Sequence, residues 1–328
     1  MARHAGVSPS TVSYVLSGKR PISEATRERV LETIRALGYH PHAGARALAS
    51  NRSNVIALVV PLHTGLYVPV LMQFAISVVT AARAYDHDVL LLTQDEGDRG
   101  LQRVAASALA DALIVMDVEL HDKRIPLLRS LDRPSVLIGF PAVATGLTCI
   151  DLDFTAAGAA CVDHLADAGH RCVALVGSPP VIYQRETGFA RRTAAGFDEA
   201  LRRRGLEGTI RPCEPTPDAV LATVKELLSE YPDLTGVVVH NEPTVTPLLD
   251  AFRALDRRVP EDVSVVAICP DDVAERVRPP LTSVSIPADE VGRRAVELVM
   301  AKLDGRDVPE ATLLPPRLTV RGSTAQRT

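Results

Sequence analysis

Residues 6–23, GVSPSTVSYVLSGKRPIS, decide how the first fifty residues fold. Ser8 is an N-cap residue, and Pro9 suits the first helical position, where its missing N–H would have been unbonded anyway. Val12, Val15 and Leu16 recur at i, i+3 and i+4 and give a short helix one apolar stripe. The other face carries Ser10, Thr11, Ser13, Tyr14 and Ser17, small or slender groups that allow close approach to another surface. Gly18 ends this helix. Ser23 caps a second helix, EATRERVLETIRALG, with Val30, Ile34 and Leu37 inward and Gly38 as terminator. Ahead of Ser8, ARHAG reads as the tail of a further helix turning at Gly6. This is the helix-turn-helix arrangement. Periodicity alone also fits any small helical bundle.

Three ungapped runs narrow the choice. A-G-V-S-x-x-T-V-S-x-V-L-x-G (5–18), I-S-x-x-T-R-x-R-V (22–30) and L-G-Y-x-P (37–41) resemble the head of the LacI/GalR family of bacterial transcription regulators. The resemblance implies DNA contacts from Ser8, Pro9, Ser10, Thr11, Ser13, Tyr14, Ser23, Thr26, Tyr39, His42, Ala45 and Leu48. Pro9 has no donor, so Ser10 and Tyr14 carry most of the expected base reading. Family heads also carry a Thr-x-x-Asp-Val-Ala segment before this point, and Met1 stands where its Val would be. Met1–Ala5 is barely one turn, below the length that sustains a helix. The expectation is therefore a first helix cut short by a misassigned start codon. The alternative is a small-molecule binding protein whose short head no longer binds DNA.

Charge separates head from body. Residues 1–54 hold eight Lys and Arg against three Glu, a net +5, while the remainder holds 28 basic and 37 acidic residues, a net −9 within an overall −4. A basic head on an acidic body suits a head that meets phosphates. The 328 residues leave room for two or three domains. No apolar run is long enough to span a membrane and no secretion signal opens the chain, so no membrane partner and a cytoplasmic location are expected. The five Cys form no C-x-x-C pair, and neither a disulfide framework, a metal site nor a cofactor is expected. His164 and His170, with Asp163 and Asp167 nearby, are read as a solvated helix end.

Residues 39–53 form a hinge between a head at 1–38 and a body at 54–328. AGARALAS offers a helix too short to stand alone, weakened further by Gly44. In the resembling family such a hinge orders when two copies meet on DNA and a leucine wedges into the minor groove, the place Leu48 holds here.

From Asn54 the pattern alternates between strands and helices. VIALVV (55–60), VLLL (89–92), ALIVM (112–116), SVLIG (135–139), CVALVG (172–177), GVVVH (236–240) and VSVVAI (263–268) read as buried parallel strands. Helical stretches lie at 68–84, 100–109, 122–131, 156–168, 189–204, 217–230, 244–256 and 288–303. Strands and helices in regular succession predict two doubly wound α/β subdomains with parallel sheets. Neither G-x-G-x-x-G nor a phosphate-binding G-x-x-x-x-G-K-[ST] loop appears, and Asp271–Asp272 lacks a nucleophile with a base, so no enzyme is expected. DHLADAGHR (163–171), AAGFDEAL (194–201), HNE (240–242), PDD (270–272), PPLTSVSIP (279–287) and GRRAVELV (292–299) extend the resemblance, whose bodies are similar to periplasmic sugar-binding proteins. It implies a first subdomain at about 54–153 and 286–317 and a second at about 154–285 and 318–328.

Ligands of open α/β sheets bind beyond the strands' carboxyl ends. Those ends supply Tyr67, Asp117, Phe140, Asn241 and Asp271, and the resemblance adds Arg191 and Arg192. A dimer on a palindromic operator, answering to a sugar or nucleoside-like effector, is the implied function. If Leu48 is a wedge, Leu48→Ala weakens specific operator binding and leaves salt-driven non-specific binding intact. Equal loss of both across a salt series contradicts the wedge.

Overall fold

The computed structural model describes residues 1–17, 20–37, 52–63, 66–93, 101–103 and 109–327. Tyr39, His42, Ala45 and Leu48, together with Gly18 and Gly38, lie outside the described residues. In the head, helices Pro9–Ser17 and Glu24–Ala36 pack Val12 against Val30, with Ala5 the third buried apolar residue. Met1–Ala5 is a single turn closed by His4 and Ala5 N–H donating to the Met1 carbonyl, and Gly6 follows at φ +62. Met1 and Ala2 pack against the same small cluster, as do Val15 and Ile34.

Two six-stranded sheets make the body. The first holds β1 (Val55–Val59), β2 (Asp88–Leu92), β3 (Ala112–Val115), β4 (Ser135–Ile138) and β5 (Cys149–Leu152). The second holds β6 (Cys172–Gly177), β7 (Glu207–Pro212), β8 (Gly236–Val239), β9 (Ser264–Cys269) and β10 (Thr282–Ser285). The chain then returns to the first sheet for β11 (Ala311–Leu314) and ends in the second with β12 (Leu318–Thr319). The orders are β11-β5-β4-β3-β1-β2 and β12-β10-β9-β8-β6-β7, all parallel except β12 on β10. Central strands such as β3, β4, β8 and β9 are buried at every position, which is why they read as unbroken apolar runs.

The helices differ from expectation at their starts. Helix Phe154–Asp167 begins two residues early because Asp153 accepts the Ala156 N–H at 2.9 Å. Helix Ile125–Ser130 begins three residues late because Asp122 accepts the Arg124 N–H at 2.9 Å and its guanidinium at 2.6 Å. Of the stretch at 100–109, only 101–103 and 109 are described, the first three of them helical. Ser23 is a correction. Its carbonyl accepts from Thr26 and Arg27, but its hydroxyl turns to Thr26 Oγ1 at 2.9 Å and bonds no backbone N–H. The histidines are another. His170 is fully buried with Nδ1 2.9 Å from Thr235 Oγ1, and burial lowers its pKa to about 4. Asp163 and Asp167 pair with Arg203 and Arg204 instead. All five cysteines are buried and free.

Helix Gly188–Arg204 lies directly on helix Phe154–Asp167, and two glycines permit it. A Cβ on Gly158 would stand 2.4 Å from the Thr193 carbonyl oxygen, and one on Gly196 would stand 1.9 Å from that of Thr155. Neither neighbour is a side chain that can swing away. Gly196→Ala must therefore part the helices, and overpacking of this kind costs about 1–3 kcal/mol. Denaturant titration is expected to show that loss, whereas an unchanged midpoint would mean the helices separate freely.

Candidate functional site

The head presents one polar surface. Ser8 Oγ accepts the Thr11 N–H at 3.1 Å and lies 2.7 Å from Ser10 Oγ and 2.8 Å from Thr11 Oγ1. Ser8 is thus the N-cap, and Pro9, Ser10 and Ser13 stand exposed beside it. Tyr14 is half-buried, with the Arg20 guanidinium 5.4 Å from its ring centroid. Arg20 was not among the expected contacts, and its link to Tyr14 is tertiary, without a local signal.

The second feature is a cleft between the carboxyl ends of the two sheets. Tyr67, Asp117 and Asn241 line it, as the strand-end rule requires. Phe140, Arg191, Arg192 and Asp271 do not. Phe140 is buried in the core beneath β4, with the Arg192 guanidinium 5.5 Å above its ring and donating to the Pro141 carbonyl at 3.2 Å. Arg191 donates to the Tyr183 carbonyl at 2.8 Å. Asp271 opens the short helix Asp271–Arg276, where it accepts from Ser285 Oγ and from Arg321, both at 2.9 Å. Arg321 is fifty residues away in sequence, so nothing local announced that pairing.

Asp117 is held from several sides. It sits at φ +53, a strained region for a residue with a Cβ, and Arg124 donates to its carbonyl at 2.8 Å and to that of Met116 at 3.1 Å. Arg185, from the second sheet's side, pairs with Asp117 Oδ2 and, at 3.0 Å, with Glu119. Asp117 Oδ1 is buried and accepts no hydrogen bond. Asn241 turns its amide nitrogen to the Gly177 and Cys213 carbonyls at 3.0 and 2.8 Å, tying strand ends together.

Sequence reasoning left out Asp151, His240 and Glu242, which also line the cleft. Burial drives each toward its neutral form. It raises Asp151 and Glu242 to about 7 and lowers His240 to about 4. The His240 ring stacks on Phe154 at 5.4 Å and meets Phe189 edge-on at 5.5 Å. HNE sits at the end of β8, a signal for the last two; β5 was disguised by Cys149 and Asp151 themselves.

Comparison with known proteins fits both features. A profile of bacterial regulatory proteins of the lacI family matches residues 1–42, and one of a periplasmic binding protein-like domain matches 162–324. The HTH-type transcriptional regulator CelR of Thermobifida fusca is 30% identical over 98% of this chain and 96% of its own. The chain belongs to the LacI family. It is a ligand-responsive, DNA-binding transcriptional regulator. A solved complex of the transcriptional regulator CelR with cellobiose is 29% identical with a TM-score of 0.71, covering 98% of both chains. The lac repressor dimer bound to operator and the anti-inducer ONPF shares the fold at a TM-score of 0.83 and 23% identity, covering 99% of this chain and 97% of that one. Among the described residues, no helix of this LacI-family chain is long and apolar enough to cross a membrane.

The raised carboxyls give a pH signature. A carboxyl whose folded pKa exceeds its unfolded value adds stability below the unfolded value, and that advantage is lost as pH rises toward the folded value near 7. Asp151→Asn removes the ionisation while keeping an acceptor for the Leu152 N–H, now bonded at 2.9 Å. The melting temperature of Asp151→Asn is expected to match wild type near pH 4 and to exceed it increasingly toward pH 8. A pH-independent difference would show that Asp151 ionises as easily as in water.

Proposed function

We propose that two copies of this chain read a palindromic operator and that a small molecule in the cleft sets their affinity for it. The exposed row of Ser10, Ser13 and half-buried Tyr14, fixed by the Ser8 cap, carries the DNA half of this reading. Small hydroxyls beside a slender aromatic can enter a major groove and bond base edges. Ser23, Thr26 and the hinge residues then position the head on phosphates. The effector half rests on Tyr67, Asp117 and Asn241 together with Asp151, His240 and Glu242. The CelR–cellobiose complex supports a sugar-class effector.

A dimer is supported by one apolar row. Val68, Ile76 and Val79 share a face of helix Val68–Arg83 and stay 44%, 61% and 40% exposed, and Leu91 on the edge strand β2 adds 41%. Exposed apolar surface of this kind fits a second copy of the chain. A palindrome needs two heads.

The test is at the bases. Tyr14→Ala is expected to cost about 1–3 kcal/mol of operator affinity and to relax preference at one base pair in each half-site. A binding selection that returns an unchanged consensus contradicts the role given to Tyr14.

A further inference from the structure

The chain enters the body from the head over a buried carboxylate at the foot of the first sheet. Asp111 Oδ1 accepts the Ser53 N–H at 2.7 Å and the Ser53 hydroxyl at 2.9 Å, and Oδ2 accepts the Asn54 N–H at 2.8 Å. The Asp111 N–H donates in turn to the Val55 carbonyl, and the Asp88 N–H to that of Asn54, both at 2.8 Å. Asn54 stands at φ +54, in the left-handed region that a residue with a Cβ occupies at a cost. It is exposed, and what holds this turn is its two backbone bonds, to Asp111 and Asp88.

A strand can begin without a strained residue before it. A strained turn under a carboxylate with three donors fixes a direction, and charge-assisted bonds of this kind are strong. The other end of the same strands is the cleft. β3 begins at Ala112, directly after Asp111, and Met116 and Asp117 beyond its last residue line the cleft. β1 begins directly after Asn54 and pairs with β3 from Ile56 on Ala112 to Val59 on Val115. From Asp111 to Asp117 is about 20 Å of extended chain. β3 is buried at every position, and a close-packed interior transmits displacement instead of absorbing it. We propose that Asp111 is a positioning residue for operator binding: its clamp on Ser53 and Asn54 fixes the direction in which the chain leaves for the head and fastens that direction to the strand that ends in the cleft. This rests on the reading of two copies on a palindrome, where two heads must arrive at a set spacing. Phosphate contacts by a single head need no such direction.

Fluorescence anisotropy with the full chain measures binding to two duplexes of equal length: the palindrome that wild type selects from a random pool, and a scrambled version of it. Asp111→Asn sets an amide nitrogen against an N–H donor and opens the clamp. It is expected to weaken palindrome binding about tenfold or more and scrambled binding by less than about twofold. Asn54→Gly keeps the backbone N–H and adopts positive φ without cost, so it loosens the direction while retaining the fold. It is expected to weaken palindrome binding several-fold at an unchanged melting temperature, and it decides the matter should Asp111→Asn fail to fold. A purely structural Asp111 gives a lowered melting temperature in Asp111→Asn and wild-type palindrome binding in Asn54→Gly. That outcome overturns the proposal, as does equal loss on both duplexes. Variants that bind like wild type refute the proposal alone, whereas a wild type that selects no palindrome refutes the two-copy reading and the proposal with it.

Discussion

Arg185 reaches across the cleft to Asp117 and Glu119 and ties the carboxyl ends of the two sheets together there. Each sheet has a buried core on one side, and a third buried cluster runs from Ile56, Leu58 and Ile114 of the first sheet to Val173, Leu175 and Val266 of the second, so packing and the bridge act together on how the halves sit. A buried ion pair contributes little net stability, because desolvation offsets most of the attraction, but it strongly prefers one geometry. Backbone contacts reinforce the choice. The Gly188 N–H donates to the Val118 carbonyl and the Leu120 N–H to the Glu186 carbonyl, both at 2.9 Å. Gly188 has no Cβ to obstruct this, since one would stand 2.9 Å from the Phe140 carbonyl oxygen. Of the residues in these contacts, Asp117 and Val118 also line the cleft.

This places a switch beside a site. Asp117 is both an anchor of the bridge and a residue of the cleft lining. Allostery needs a ligand whose contacts differ between two states. Among the described residues of the head, three apolar side chains are buried, Ala5, Val12 and Val30, a small core for two helices.

Much of this was legible in the sequence because the central strands are buried on both faces and therefore apolar throughout. The unread strands have particular reasons. β7, EGTIRP, is an edge strand with exposed ends, so burial does not dictate its residues. β10, TSVS, buries hydroxyls that are satisfied from afar, as when Ser323 Oγ accepts the Thr282 N–H at 2.8 Å. In the site, the strand-end rule located Tyr67, Asp117 and Asn241 because topology alone fixes where strands end. Phe140 and Asp271, also at strand ends, stand outside the cleft lining, Asp271 turned to Arg321 and Phe140 beneath the Arg192 guanidinium. Those outcomes depend on pairings between distant residues, which spacing does not encode.

The central claim is that the cleft governs the head, and Arg185→Ala addresses it most directly. The substitution removes the bridge, touches neither helix of the head, and needs no knowledge of the effector. Operator and non-specific DNA binding of wild type and variant, compared by fluorescence anisotropy across a salt series, is the measurement. The account predicts a change in operator affinity of about fivefold or more, within the range of allosteric coupling, with non-specific binding and its salt slope unaltered. Operator affinity unchanged in a folded Arg185→Ala protein would contradict it.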